Sequence, residues 1–343
     1  MKIAILGLPQ SGKKTLFTLL TQRQIPPGRK PGEAVEGAAS IRDSRVSDLA
    51  RICKPRKTTF AENTFVLCPD AVTDGTNRDW LNAARRCDLL CLVARSFASD
   101  AVYHPAGTVD AARDLAALRA ELLLADMELV DKRLTRLAKE KRAGQSAAQA
   151  REEQVLGRCM AALEAGTPLS AAGLGDADQP VICNLEFVSL IPQLAVYNVS
   201  ESDLMREAPA GSLCVSCLIE QEIAAIADAG ERTEYLQAMG LREAGLDRMN
   251  AAAYAALGLM SFYTQGEDEV RAWTIRRGAT APVAGGRIHS DIERGFIRVE
   301  VIKFDDFVAA GSEKAAKESG KCHTKGRDYA IEDGDICHFL FNV

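Results

Sequence analysis

Residues 7–15 read Gly-Leu-Pro-Gln-Ser-Gly-Lys-Lys-Thr. Gly7, Gly12 and Lys13 fit a pattern of glycine, four residues, glycine-lysine and a hydroxyl residue, which cradles phosphate groups. One position departs: residue 14 is Lys14, where the pattern places a serine or threonine for Mg²⁺. Just before the loop, Lys2-Ile-Ala-Ile-Leu6 is a short apolar run suited to a buried parallel strand. Just after it, Thr15-Leu-Phe-Thr-Leu-Leu20 has helical apolar spacing. Strand, glycine loop and helix form the arrangement the chemistry needs. Glycines admit backbone amides to the phosphates, the helix N-terminus adds positive potential, and Lys13 reaches the β- and γ-phosphates. An ordinary strand–helix turn explains Gly7 or Gly12, but not that pair together with Lys13. The candidate phosphate-binding residues are Pro9, Gln10, Ser11, Gly12, Lys13, Lys14 and Thr15.

The chain has 343 residues, enough for two or three domains, and its 47% hydrophobic content allows real cores. A formal net charge of −5 argues against a polycation that seeks nucleic acid as a whole. Residues 1–60 nevertheless hold twelve Lys/Arg against four Asp/Glu, which suits either a phosphate ligand or a solvated basic face. Ten cysteines without a secretory signal point to a reducing, cytoplasmic compartment. No apolar run reaches the length of a membrane span, so no membrane partner is expected. Cys214-Val-Ser-Cys217 is a lone CxxC, better read as buried or half-buried thiols than as a zinc site. No metal ligand and no catalytic residue is assigned from spacing.

Further along, residues 24–57 read as loop, with a helix at 44–52. Strands are expected at 63–68 and 88–94, with a helix at 79–86 between them, so strands and helices alternate as in a parallel α/β sheet. Residues 110–165 lack proline and space their leucines helically, with a break at Ala143-Gly-Gln-Ser146. They read as an antiparallel helical hairpin, either a partner-docking arm or a pair of packed surface helices. Sheet character returns at 180–183, 193–198 and 212–216, followed by helices near 219–228 and 246–260. From about Ser261 the pattern alternates in a β-rich end domain of roughly 80 residues.

At this point the chain resembles the YchF-type, Obg-related ATPases of the translation-factor class of P-loop proteins, nearly end to end. The end domain carries Phe262-Tyr-Thr-Gln-Gly266, Glu269-Val-Arg-Ala-Trp-Thr274, Gly278-Ala-Thr-Ala-Pro282, Ile288-His-Ser-Asp291, Glu293-Arg-Gly-Phe-Ile297 and Asp333-Gly-Asp335. These are similar to the family's TGS domain, a ubiquitin-like β-grasp module. Glu121-Leu-Leu-Leu-Ala-Asp-Met-Glu-Leu-Val130 resembles the family's helical arm, and Gly7-Leu-Pro9, Gly12-Lys13 and Thr15-Leu-Phe17 match its first loop. The fold class this implies is α/β: a P-loop NTPase parallel sheet with an inserted helical hairpin and a C-terminal β-grasp (TGS) domain. The implied boundaries are 1–98 and 178–258 for the nucleotide-binding domain, 99–177 for the coiled-coil arm and 259–343 for the TGS domain. The resemblance also gives meaning to Tyr197-Asn-Val-Ser-Glu201. GTPases carry Asn-Lys-x-Asp there, and the aspartate selects guanine. The family's Asn-x-x-Glu form goes with ATP, so Asn198, Val199 and Glu201 are expected to face the base. Read without the family, the same tetrapeptide is a strand-end loop whose side chains cap the next turn.

The family pattern fails at three places that bear on one chemistry. Lys14 has no lone pair and cannot ligate Mg²⁺, and Thr15 is rotated from it by about 100° along a helix. The family's first switch supplies a threonine, whereas residues 22–57 contain none and place Pro31 in the matching region. The second switch, Asp-x-x-Gly plus a glycine-rich segment, is replaced by Cys68-Pro-Asp-Ala-Val72 and a shortened Thr73-Asp-Gly-Thr-Asn77. Asp70 there reads as a turn residue beside Pro69. Phosphoryl transfer rests on positioning and on charge neutralisation by the metal, so these losses count against Mg²⁺ and against hydrolysis. The expectation is a nucleotide-binding protein, ATP (or GTP) as ligand with ATP preferred, and weak or absent Mg²⁺-dependent hydrolysis. Ribosome or RNA association follows from the resemblance alone, and a protein partner of the helical arm follows from reading the hairpin as a docking arm. Residues 259–343 hold twelve Lys/Arg against fourteen Asp/Glu, so composition shows no RNA surface. Two alternatives remain: a slow ATPase using a modified P-loop, and a scaffold without nucleotide that acts through the arm and TGS domain.

Overall fold

In the computed structural model, residues 1–343 are described except 27, 29, 31, 76, 77, 142–145 and 343. Two units emerge by packing: residues 1–39 with 64–249, and residues 40–63 with 250–343. The partition expected from sequence drew its lines at 98/99, 177/178 and 258/259, and left 40–63 with the nucleotide-binding domain.

The first unit is built on a six-stranded sheet in the order β2-β4-β1-β5-β6-β7. These strands are β1 (Lys2–Leu6), β2 (Val35–Ser40), β4 (Glu62–Leu67), β5 (Leu89–Ser96), β6 (Gln193–Val199) and β7 (Ser212–Val215), with β3 (Lys57–Thr59) lying in the other sheet. β1 pairs in parallel with β4 and β5, as do β5 with β6 and β6 with β7. Ile3–Leu6 and Leu89–Ala94 are buried along their whole length. Near-continuous apolar runs of this kind belong to strands covered on both faces.

Helix α1 (Lys13–Thr21) follows β1, while α3 (Ala111–Glu140) and α4 (Ala147–Glu164) form the expected pair. Thirty residues make α3 about 45 Å long at 1.5 Å per residue. Its first half puts Leu115, Leu118, Leu122 and Ala125 into the core cluster that contains Leu90 and Leu92 of β5. Its second half joins Val130 and Leu137 to Val155, Leu156, Cys159 and Leu163 of α4. One helix thus serves as a sheet cover and then as half of a hairpin. The expected break at 143–146 lies outside the described residues up to 145. Ser146 itself caps α4, its side chain accepting from the Gln149 amide in a reciprocal capping box.

Four local expectations need correction. The stretch 24–57 is not all loop, because Val35–Ser40 forms a strand with alternating burial. The helix expected at 79–86 is two 3-10 turns, Asp79–Leu81 and Ala84–Arg86, which bring Trp80, Leu81 and Ala84 into the core. The strand expected at 180–183 is a helical turn, Gln179–Ile182. Pro180 in its first turn has no amide to lose and presets a helical φ. The helix expected to run to 260 ends at Ala256, and Gly258, with φ +60°, turns the chain into the next strand.

The second unit is a β-grasp sheet in the order β11-β10-β12-β8-β9, with β3 added beside β9. The strands are β8 (Leu259–Thr264), β9 (Glu269–Arg276), β10 (Phe296–Lys303), β11 (His323–Lys325) and β12 (Asp335–Phe341). One face packs Phe262, Val299 and Phe339 against Ala281, Ala284 and Ile292. The other face, with Tyr263, Val270, Ile302 and Ile336, is covered in part by Val46 and Leu49 of α2 (Ser44–Cys53). Both of these α2 side chains are fully buried, worth about 1.5–3 kcal/mol each. Asp43 accepts from the Tyr263 hydroxyl at 2.5 Å, and Arg45 pairs with Asp333 at 3.1 Å. Residues 40–63 are therefore an integral part of this unit.

Candidate functional site

The loop leaving β1 has the shape its glycines permit. Gly12 caps α1 at φ +92°, a left-handed conformation that side chains resist. A Cβ there would stand 2.1 Å from Asn198 Nδ2, and one on Gly7 would stand 2.5 Å from the Val93 carbonyl. Gln10 also adopts a positive φ, +63°, without being glycine, the kind of local strain that clusters at functional loops. Among the described residues no side chain caps α1, and its first turn carries no acidic residue. The amides that open a helix have no partner within it, so this end is chemically suited to an anion.

Lys13 lies 2% exposed beneath the loop. Its ammonium donates to the Gly7 carbonyl at 3.0 Å, to the Leu8 carbonyl at 3.2 Å and to the Asp70 carboxylate. Burial pushes the Lys13 pKa down, and Asp70 opposes that shift. Asp70, read from the sequence as a turn residue, is thus an ion-pair partner of the loop lysine, anchored by the Ala71 amide donating to the Gly7 carbonyl at 3.0 Å. Lys14 projects outward and stands 3.9 Å from the second Asp70 oxygen. A lysine at that position offers Mg²⁺ no lone pair, and the neighbouring carboxylate is already engaged by Lys13. These residues do not fit the metal in the pattern's usual way.

A cleft of about 370 Å³ opens beside the loop, lined by Gly12, Thr15, Phe97, Asn198, Val199, Glu201, Ser216, Cys217 and Leu218, among others. That volume falls in the range of small-molecule sites. The parallel pairing of β1, β5, β6 and β7 gathers their C-terminal loops at one edge, the usual position for ligands in open α/β sheets. Asn198 is buried and bridges two of these loops: its Nδ2 donates to the Ser11 carbonyl at 3.1 Å, and its Oδ1 accepts from the Cys217 amide at 3.1 Å. Val199 lines the cleft and Glu201 stands exposed at its mouth. The structure therefore brings Gly12, Thr15, Asn198, Val199 and Glu201 around one cavity. Pro9, Gln10, Ser11, Lys13 and Lys14 belong to the adjoining loop and helix start, outside the cavity lining.

Several lining residues escaped the sequence reading. Phe97 and Ser99 follow β5, and Ser216 to Leu218 follow β7. The rule that ligands sit beyond strand C-termini would have pointed to both loops. The Ser216 hydroxyl is buried without a hydrogen-bond partner among the described residues. Burial pushes the Cys217 thiol up to about 12, so it is an unreactive lining group. Among the described residues no group of three His, Cys, Asp or Glu is placed to hold a metal ion, and no helix is long and apolar enough to cross a membrane.

Comparison with known proteins places the chain among relatives. Residues 259–342 match the family model YchF-GTPase_C, described as a protein of unknown function (DUF933). The chain is 38% identical over 362 residues to the Ribosome-binding ATPase YchF of Escherichia coli O157:H7, covering 100% of this chain and 99% of that protein. It is 35% identical over 362 residues to the protein of the same name from Bacillus subtilis (strain 168), covering 99% and 98%. Among solved structures, the Schizosaccharomyces pombe YchF GTPase superposes with a TM-score of 0.82 at 28% identity, over 99% of this chain and 97% of that one. With 35–38% identity to these relatives over essentially the full length of both chains, the chain belongs to the YchF family.

Proposed function

We propose that this protein binds a nucleotide at the Gly7–Thr15 loop, prefers ATP to GTP, and hydrolyses it weakly or not at all. The observation that carries the reading is the loop itself: a positive-φ Gly12 opening an uncapped helix, Lys13 beneath it, and Lys14 where a metal-binding hydroxyl belongs. The first two features support phosphate binding. The third removes one ligand from the metal that neutralises charge in phosphoryl transfer. Thr15 lines the cavity but lies one helical step around from the missing hydroxyl. Glu201 at the cleft mouth supports adenine through the resemblance alone, because it stands where GTPases carry the guanine-selecting aspartate and matches the Asn-x-x-Glu form that goes with ATP. Lys14 takes part of the metal's electrostatic place beside the phosphates.

The names of the relatives, ribosome-binding ATPases, support a ribosome-associated role for this chain. On that reading the β-grasp unit is a TGS domain, the α3–α4 hairpin is a docking arm, and the protein works in the cytoplasm. Isothermal calorimetry with ATP, ADP and GTP, each with Mg²⁺ and with EDTA, tests the central claim. The expected result is adenine-nucleotide binding in both conditions, abolished by Lys13→Ala. Binding that is strictly Mg²⁺-dependent together with rapid turnover would defeat it.

A further inference from the structure

Lys13 has three ammonium donors, and all three are committed: to the Gly7 carbonyl, the Leu8 carbonyl and Asp70. The two carbonyls belong to the loop's own backbone and cannot leave without dismantling it. Asp70 is different. Its side chain is 40% exposed, on the segment that follows β4, and its second oxygen faces Lys14 at 3.9 Å. An incoming phosphate oxygen therefore gains a Lys13 donor only by taking the one that Asp70 holds. Until Asp70 withdraws, its carboxylate also repels the phosphate.

We propose that Asp70 is an internal competitor for Lys13, so that ligand binding is an exchange of carboxylate for phosphate. Asp70 thereby acts as a specificity-determining residue for the phosphate chain. The triphosphate carries the most charge and is held back more than the diphosphate. This inference rests on the reading of the loop as a nucleotide site. It differs from a merely structural ion pair in what it demands: removing the Asp70 charge must improve binding, although it costs the buried lysine its counter-charge.

The test compares wild type, Asp70→Asn, Asp70→Glu and Lys13→Ala by calorimetry with ADP and ATP in EDTA, with melting curves to verify folding. Asp70→Asn is expected to melt lower without ligand, to bind ATP at least tenfold more tightly, and to gain less for ADP. Asp70→Glu keeps the charge and should keep the wild-type ratio of ATP to ADP affinity. If wild type binds, Lys13→Ala does not, and Asp70→Asn is unchanged or weaker for both ligands, the nucleotide reading stands and this inference falls. If folded wild type and folded Asp70→Asn both fail to bind at millimolar nucleotide, the nucleotide reading falls and takes this inference with it.

Discussion

Asn198→Ala separates two roles that this side chain could serve in the cleft. In the structure its amide is spent on the protein, holding the Ser11 carbonyl and the Cys217 amide at 3.1 Å each. Truncation leaves both backbone groups without that partner in a site where Asn198 is 4% exposed. Each buried unsatisfied group costs about 1–3 kcal/mol. Because the adjoining cleft admits water to part of the gap, we expect about 2–4 kcal/mol in total. Urea unfolding reads this directly. Trp80 is buried in the sheet unit and Trp273 lies in the β-grasp unit, so a Trp273→Phe background leaves one reporter in the right place. With a urea slope of about 1–3 kcal/mol per molar, the midpoint falls by about 1 M or more. ATP and GTP should weaken together, because the loops that carry the site are released while no base contact is removed. A destabilisation below about 0.5 kcal/mol, combined with a change in the ratio of ATP to GTP affinity, would show that the amide reads the base and would refute this assignment.

Gly12→Ala should cost about 1–2 kcal/mol from left-handed strain alone, more from its overlap with Asn198, and should abolish nucleotide binding; a calorimetric titration that matches wild type would overturn the packing account. Lys14→Ser should introduce Mg²⁺ dependence into nucleotide affinity without giving efficient turnover, and a phosphate-release assay showing fast hydrolysis would mean that the altered switches matter less than proposed. Glu201→Asp should move base preference toward GTP in a competition titration, and an unchanged preference removes Glu201 from the site. Glu220, 3% exposed, accepts from the Gly245 amide at 2.7 Å, and burial raises its pKa above the usual 4.5. A raised folded-state value means its contribution is fully present below pH 4.5 and is lost as pH rises through the folded pKa. Glu220→Gln keeps an acceptor for Gly245 without the charge, so its stability relative to wild type should rise with pH across that window in parallel melting curves.

Local features were readable from the chain. The strand, loop and helix at 2–20 follow from an apolar run, a glycine that must turn left-handed and a helical repeat, all set by neighbours a few residues apart. The same holds for the alternating strands of the β-grasp unit and the long leucine spacing of α3. Asn198, Val199 and Glu201 were reached by resemblance, since a short polar tetrapeptide carries no such local signature. What stayed hidden depends on partners far away in the chain. Asp70 looks like a turn residue beside Pro69 until the parallel pairing of β1 with β4 sets it against Lys13, 57 positions earlier. Residues 40–63 read as loop and a short helix of the nucleotide-binding domain until Val46 and Leu49 cover a sheet face built more than 200 positions later. The segments at 79–86 and 180–183 took forms other than those expected, because which of their apolar side chains had to be buried was set by the surrounding core. Propensity acts over one or two turns of chain, whereas ion pairing and burial act between surfaces that exist only after the strands have assembled.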